Sequence, residues 1–286
     1  TSGTTDRSKA VMHSHATISA NLMGMCQMIY MGDDIVLSVL PLHHTYECTC
    51  GFLCQIYRGN TIAQSEGLRY LIDNLRESKS NLLLTVPLMA EAFHKRIWKS
   101  IDKKGKRSTV EFALKLTRFL RKFGIDLRKK FFHDIQEGLG GYLDMLIVGG
   151  AAVNPQVLQD FTDFGILSVQ GYGLTECGPI LAVNRDVFYK NESAGLPIPG
   201  VEVKIESPDE NGIGEFIARG PNIMLGYYGD EEATKGAFMD GWLRTGDVGY
   251  MDTEGYVFLV DRIKDLIKCS GFNVYPRTIE EALSQH

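Results

Sequence analysis

Leu167-Ser-Val169 leads into Gly171-Tyr-Gly-Leu-Thr-Glu176, and Met145-Leu-Ile-Val148 leads in the same way into Gly149-Gly-Ala-Ala152. Each is a short apolar run that ends on glycines, the pattern of a buried strand opening into a tight turn. Working outward, Ile35-Val-Leu-Ser-Val-Leu40, Thr61-Ile-Ala63 and Asn81-Leu-Leu-Leu-Thr-Val86 repeat the apolar run. Such unbroken strands suit a parallel sheet covered on both faces. Helical spacing fills the intervals at 49–58, 67–77, 88–100, 109–123 and 155–164, the last opened by Asn154-Pro155 as cap and first turn. The alternation predicts an α/β fold with doubly wound, mostly parallel sheets. In open sheets of this kind ligands gather at the carboxyl ends of the strands, where both glycine turns lie.

From about residue 193 the pattern changes to alternating strands and turns. Val201-Glu-Val-Lys-Ile205 and Gly214-Glu-Phe-Ile-Ala218 flank a turn at 208–212, and segments 242–251 and 256–260 flank Asp252-Thr-Glu-Gly255. A small antiparallel, β-barrel-like subdomain is expected over 190–261, after an α/β core at 1–189. Residues 262–286 read as a hinge and the start of a truncated C-terminal domain, with a helix beginning at Thr278. The text opens on a loop and stops inside that helix, as a fragment cut at both ends would.

The 286 residues carry 44% hydrophobic and 23% charged side chains, ordinary globular composition that excludes disorder and disulfide mini-scaffolds. Net charge is −5 and the isoelectric point about 5.8, so the whole chain is no nucleic-acid binder. Its longest run without a charged residue, 10–32, contains His13, Ser14, His15, Ser19, Asn21 and Gln27. It is too polar to span a membrane, and an amphipathic helix capped by Ser14 is expected instead. Six scattered cysteines point to reduced thiols and a cytoplasmic setting. Residues 95–130 are different: 14 Lys or Arg face Asp102, Glu111 and Asp126, a net +11. That block predicts a solvated helix face or a contact for an anionic partner, peripheral membrane lipid included.

Several short constellations carry chemistry. Thr1-Ser-Gly-Thr-Thr-Asp-Arg-Ser-Lys9 gathers hydroxyls, a glycine and a lysine, all groups that hold phosphate oxygens, but it lacks the glycine before Lys of a mononucleotide P-loop. In 171–176, glycines permit close backbone approach, Tyr172 offers a ring face, Thr175 a phosphate donor and Glu176 a hard oxygen for Mg²⁺. Asp247, after Thr245-Gly246, is either a turn former or a carboxylate for a ribose diol. His43-His44 with Cys48, Cys50 and Cys54 lacks the paired spacing of a zinc site, and buried cysteines are the better reading. No G-x-S-x-G or H-E-x-x-H motif supports a hydrolase.

The order of these pieces is distinctive. Thr1–Lys9, Leu40-Pro-Leu-His-His44, Gly149-Gly-Ala-Ala152 and Gly171–Glu176 come first. Gly214-Glu-Phe-Ile-Ala-Arg-Gly-Pro221 with Gly226-Tyr-Tyr228, Trp242-Leu-Arg-Thr-Gly-Asp247 and Asp261-Arg-Ile-Lys-Asp-Leu-Ile-Lys268 with Ser270-Gly-Phe-Asn-Val-Tyr-Pro276 follow. Together they resemble the adenylate-forming superfamily along essentially the whole chain. The basic helical insertion before Gly149 is most similar to the long-chain fatty-acid CoA ligase branch.

The resemblance implies ATP-dependent activation of a carboxylic acid, a medium- or long-chain fatty acid, to an acyl-adenylate, followed by transfer to coenzyme A. On that pattern Thr1, Ser2, Gly3, Thr4, Thr5 and Lys9 hold the outer phosphates of ATP. Thr175 meets the α-phosphate and Glu176 the Mg²⁺. Tyr172, Gly173 and the Gly149, Gly150 and Ala151 backbone frame adenine, with Asp247 on the ribose and Arg262 nearby. His44 stands beside the acyl carboxylate, and Lys264 is the hinge of the C-terminal domain. Two positions depart from the pattern: Asp6 stands for a usual Gly and Ser8 for a frequent Pro. A carboxylate in a phosphate loop opposes ATP binding, which keeps open a second reading as a catalytically impaired nucleotide- or acyl-binding protein. Activation of another acid is a third.

Overall fold

In the computed structural model, residues 8–265, 267–269, 272–274, 276 and 283 are described. Thr1 to Thr5, expected to hold phosphate, lie outside them with Asp6 and Arg7, as does the expected helix start at 278–282. In chain order the elements begin with β1 (Val11–Met12), α1 (His15–Met28), β2 (Ile35–Ser38), a π-helical stretch (Tyr46–Leu53) that runs into α2 (Cys54–Arg58), and β3 (Thr61–Gln64). Then come α3 (Leu71–Ser78), β4 (Leu82–Thr85), α4 (Pro87–Lys103), α5 (Arg107–Arg121), α6 (Arg128–Phe131), α7 (His133–Glu137), β5 (Met145–Val148), α8 (Pro155–Asp163) and β6 (Leu167–Gly173). The remainder is β7 (Ile180–Val183), β8 (Leu196–Pro197), β9 (Glu202–Glu206), β10 (Gly214–Arg219), β11 (Gly226–Tyr227), α9 (Glu231–Ala237), β12 (Phe238–Met239), β13 (Trp242–Met251), β14 (Val257–Arg262) and the antiparallel pair β15 (Ile267–Cys269) and β16 (Phe272–Val274), with short single turns between some of them.

Two compact units result: 29–171, the central unit, and a bipartite unit that joins residues up to 28 with those from 172 onward. This division differs from the boundaries expected at 189/190 and 261/262. The reason is that β1 pairs antiparallel with β11, Val11 opposite Tyr227, which draws the start of the chain to its second half.

The central unit is built on parallel strands in the order β3-β2-β4-β5-β6. Leu37 lies opposite Ala63, Leu83 opposite Leu146 and Ile147 opposite Val169. The chain steps outward from β2 to β3, then returns past β2 to β4, so the winding reverses between β2 and β4. That reversal is the switch point at which an open α/β sheet leaves a crevice at its carboxyl edge. Leu37, Leu75, Leu83, Phe93, Ile97, Leu114, Phe161 and Phe164 form one buried core from strands and from α3, α4, α5 and α8. Asn154 caps α8 by accepting from the Gln156 amide at 2.9 Å, with Pro155 at the first turn, as the sequence predicts.

In the bipartite unit, β12-β13-β10-β9 form an antiparallel sheet, with β14 on β13. It is an open sheet rather than a closed barrel, and its core is Phe216, Ala218, Leu243 and Val257 with Tyr172, Leu181 and Met224. Helix α1 covers 15–28 of the uncharged run 10–32, starting after Ser14 as expected, and Val11 and Met12 before it form a strand. Ser14 does cap it: its Oγ accepts from the Thr17 amide at 3.2 Å, and Thr17 Oγ1 accepts from the Ser14 amide at 3.0 Å. Among the described residues no helix is long and apolar enough to cross a membrane.

Candidate functional site

The bipartite unit holds most of the expected residues that are described. β6 ends on Tyr172 and Gly173, and after Leu174 a single tight turn holds Thr175 and Glu176. Gly173 is required by packing: a Cβ there would stand 1.9 Å from the Pro179 carbonyl oxygen. Tyr172 is buried, its ring tilted against Phe216 at 6.1 Å, and its hydroxyl donates to Asp247 Oδ2 at 2.7 Å. Asp247 lies opposite Arg262 in the β13–β14 pairing, and Arg262 Nε is 3.3 Å from Asp247 Oδ1.

Burial raises the Asp247 carboxyl above its ordinary value and the nearby Glu176 charge adds to this, while the Tyr172 hydrogen bond, Arg262 and Lys264 oppose it. The Tyr172 phenol is pushed well up, by burial first and then by the Asp247 charge, so it stays protonated and a donor. Asp247 therefore keeps both oxygens oriented, one toward Tyr172 and one toward Arg262. Lys264 sits exposed in the turn 263–265 directly after β14.

Glu176 is only partly buried. Tyr227 donates its hydroxyl to Glu176 Oε1 at 2.8 Å, and Lys9 Nζ stands 4.8 Å over the centre of the Tyr227 ring. Burial, then the Glu176 carboxylate, raises the Tyr227 phenol well above its usual range. The β1–β11 pairing aims this ring, so Lys9 and Glu176, far apart in sequence, meet on two sides of one tyrosine.

The turn that carries Glu176 is secured from behind. His13 Nε2 donates to the Thr175 carbonyl at 2.7 Å, and the Met224 amide donates to the Glu176 carbonyl at 2.8 Å. Two fully buried asparagines bind the same pair of carbonyls. Asn21 Nδ2 donates to Cys177 O at 3.0 Å and Ile180 O at 2.7 Å; Asn222 Nδ2 donates to them at 3.1 and 2.9 Å.

Tyr227, His13, Asn21 and Asn222 are absent from the sequence-based site. Tyr227 lies in the quoted Gly226-Tyr-Tyr228, and His13 and Asn21 were visible as polar letters in an apolar run. Their partners at the site lie more than forty residues away, and spacing alone does not reveal them.

The central unit holds His44, Gly149, Gly150 and Ala151. The first belongs to the loop after β2 and the others follow β5, so all four lie along the carboxyl edge of the parallel strands. His44 is exposed, and its Nδ1 accepts from the Tyr46 amide at 3.2 Å as the π-helical stretch begins. Tyr46, fully surrounded, donates its hydroxyl to the Ile147 carbonyl at 2.8 Å. Its ring lies so close that a Cβ on Gly149 would stand 2.8 Å from Cζ, which explains the glycine there. Gly150 takes a positive φ of 87°, the conformation that favours glycine in a tight turn.

Among the described residues no three or more His, Cys, Asp or Glu side chains converge as a metal site. Glu176 is a lone carboxylate with Tyr227 on one oxygen. It suits an ion that takes most of its ligands from phosphate and water and little from protein.

Comparison with known proteins gives a consistent picture. The AMP-binding enzyme family matches residues 1–228. A long-chain-fatty-acid–CoA ligase of Escherichia coli O157:H7 is 33% identical over 297 aligned residues, covering 100% of this chain and 47% of that protein. The chain thus spans about half the length of the curated relatives it matches. The fold matches o-succinylbenzoate CoA synthetase from Bacillus subtilis with its acyl-adenylate intermediate, at a TM-score of 0.76 and 24% identity, over 100% of this chain and 53% of that one. The same enzyme with ATP and magnesium ion matches at 0.75 and 24%, over 99% and 53%.

Proposed function

The chain belongs to the AMP-binding enzyme family, and on that footing we propose that it forms the nucleotide-binding part of an AMP-forming acid–thiol ligase. The acid is a medium- or long-chain fatty acid and the thiol is coenzyme A, in keeping with the long-chain-fatty-acid–CoA ligases among its relatives. The observation that carries this reading is the meeting, in one unit, of Tyr172 with Asp247 and Arg262, and of Glu176 with Tyr227 and Lys9.

In this reading Asp247 accepts the two ribose hydroxyls while Tyr172 and Arg262 hold its oxygens in place. Thr175 donates to the α-phosphate. Glu176 offers its Oε2 to the Mg²⁺ that arrives with ATP, an ion that neutralises phosphate charge and so eases attack at phosphorus. Lys9 adds a positive charge beside the outer phosphates, with Thr1, Ser2, Gly3, Thr4 and Thr5. Gly149, Gly150, Ala151 and Gly173 give backbone room for adenine, and His44 stands by the acid. The carboxylate oxygen of the fatty acid bonds to the α-phosphorus as the bond to pyrophosphate breaks. The thiolate of coenzyme A then attacks the acyl carbon and AMP leaves. Such chemistry needs positioning and charge neutralisation more than any covalent help from protein. Lys264, next to β14, serves as the hinge between the two half-reactions.

The test is ATP–pyrophosphate exchange by the full-length protein across fatty acids of graded chain length. Exchange that depends on a long-chain acid and collapses in Glu176→Gln is the expected result. Tight ATP binding with no exchange for any acid would instead favour a nucleotide-binding protein without turnover, and overturn the reading.

A further inference from the structure

Helix α5 has two apolar faces, and only one is covered. Leu114 and Thr117 are buried, with Val110 and Ala113 packed against the core beside them. On the other side Phe112 is 68% exposed and Phe119 56%, while Phe123, in the turn that ends the helix, is 67% exposed. At 100° per residue, Phe112, Leu116, Phe119 and Phe123 fall within one narrow arc, and the first three run along roughly 10 Å of helix. The Phe119 and Phe123 rings meet edge to face at 5.2 Å, a single continuous aromatic strip. Lone exposed apolar residues are ordinary, but a strip of three phenylalanines is not.

Charge identifies the partner. Lys115 and Lys122 fall on the flank of the strip, while Arg118 beyond them is paired with Asp163 at 2.6 Å. All three acidic residues of 95–130 are taken by arginines: Asp102 by Arg107 at 2.6 Å, Glu111 by the same Arg107 at 3.8 Å, and Asp126 by Arg128 at 2.6 Å. The lysines are therefore uncompensated within the block. A protein surface laid over the strip would bury those ammonium groups beside the rings, at a desolvation cost. An anionic bilayer takes both: rings settle below the headgroups while lysines remain at the phosphate level.

We propose that the outer face of α5, formed by Phe112, Phe119 and Phe123 with Lys115 and Lys122, docks the protein peripherally on an anionic lipid surface. This rests on the helix alone and stands apart from the nucleotide reading.

Vesicle flotation of the full-length protein, with phosphatidylcholine alone and with added phosphatidylglycerol, tests it. Wild type floats with the anionic vesicles and not with the neutral ones. Lys115→Gln and Lys122→Gln each lower the partition about fivefold, and raised salt does the same. F112S/F119S/F123S lowers it at least ~10-fold with the melting temperature unchanged. Equal flotation of wild type and the triple variant overturns the proposal. So does a lower melting temperature in the triple variant, which would show the strip covered by the protein itself. A shift from dimer to monomer in the triple variant would show it covered by a second copy, and overturns the proposal too.

Discussion

Tyr172 donates its phenolic hydrogen to Asp247 across 2.7 Å, the ring buried and the carboxylate partly so. One is the last buried ring of β6 and the other lies midway along β13, seventy-five residues later. The bond fixes a carboxylate whose ionised form the surroundings disfavour. Such a group suits ligand binding better than stability.

Replacing Asp247 by Asn should therefore stabilise the fold and weaken nucleotide binding. Burial holds the folded carboxyl above its ordinary 3.8, so ionised Asp247 costs stability. That cost is absent below the unfolded value and grows as pH climbs through the folded one. Asp247→Asn should melt about 2–4 °C higher than wild type near neutral pH, with the gap closing toward pH 4. Scanning calorimetry across that window checks it, beside ATP titration of both proteins. A variant that melts lower at neutral pH contradicts the assignment.

Glu176→Gln should lower kcat/KM by about 10²–10³ if the carboxylate serves the metal-bound triphosphate. Tyr227→Phe keeps the carboxylate and removes only its hydrogen bond, so a loss of about three- to tenfold is expected. Exchange assays over a range of Mg²⁺ concentrations separate the two, since only the first should lose its response to the ion.

Asn21→Ala and Asn222→Ala should each cost about 1–3 kcal/mol, by loss of packing and of buried hydrogen bonds. Because both amides serve Cys177 O and Ile180 O, either one alone still satisfies those carbonyls. The double variant leaves them orphaned and should exceed the sum of the singles by ~1 kcal/mol. Urea denaturation of the three variants measures the excess, and strict additivity would contradict shared duty.

Gly149→Ala forces a methyl group to 2.8 Å from the Tyr46 ring and should destabilise by about 1–3 kcal/mol. Tyr46→Phe keeps the ring in the way, so it should not restore Gly149→Ala. Tyr46→Leu removes the aromatic edge and should recover part of the loss. Thermal melts of the paired variants decide.

The parallel strands were readable to within a few residues, since Leu83, Leu146 and Ile147 sit in apolar runs that only a strand buried on both sides would tolerate. Helices α4, α5 and α8 were readable from apolar spacing and from Asn154-Pro155. The short pieces were not. Val11 and Met12 show no strand of their own until Gly226 and Tyr227 lie alongside, and α6, α7 and α9 are too brief to show a period. In the site, Tyr172, Glu176 and Asp247 stand in glycine-bearing motifs. His13, Asn21 and Asn222 act on backbone carbonyls, which leave no trace in the letters.

The pairing of Val11 with Tyr227 also sets a schedule for synthesis. A ribosome adding ~5–20 residues per second delivers the second partner roughly 10–40 s after the first. Until β7 is made, late in that interval, α1 lacks the strand it packs on. A nascent-chain holdase has a defined client window here: it opens once β1 and α1 leave the exit tunnel, narrows when β7 emerges and closes once β11 does.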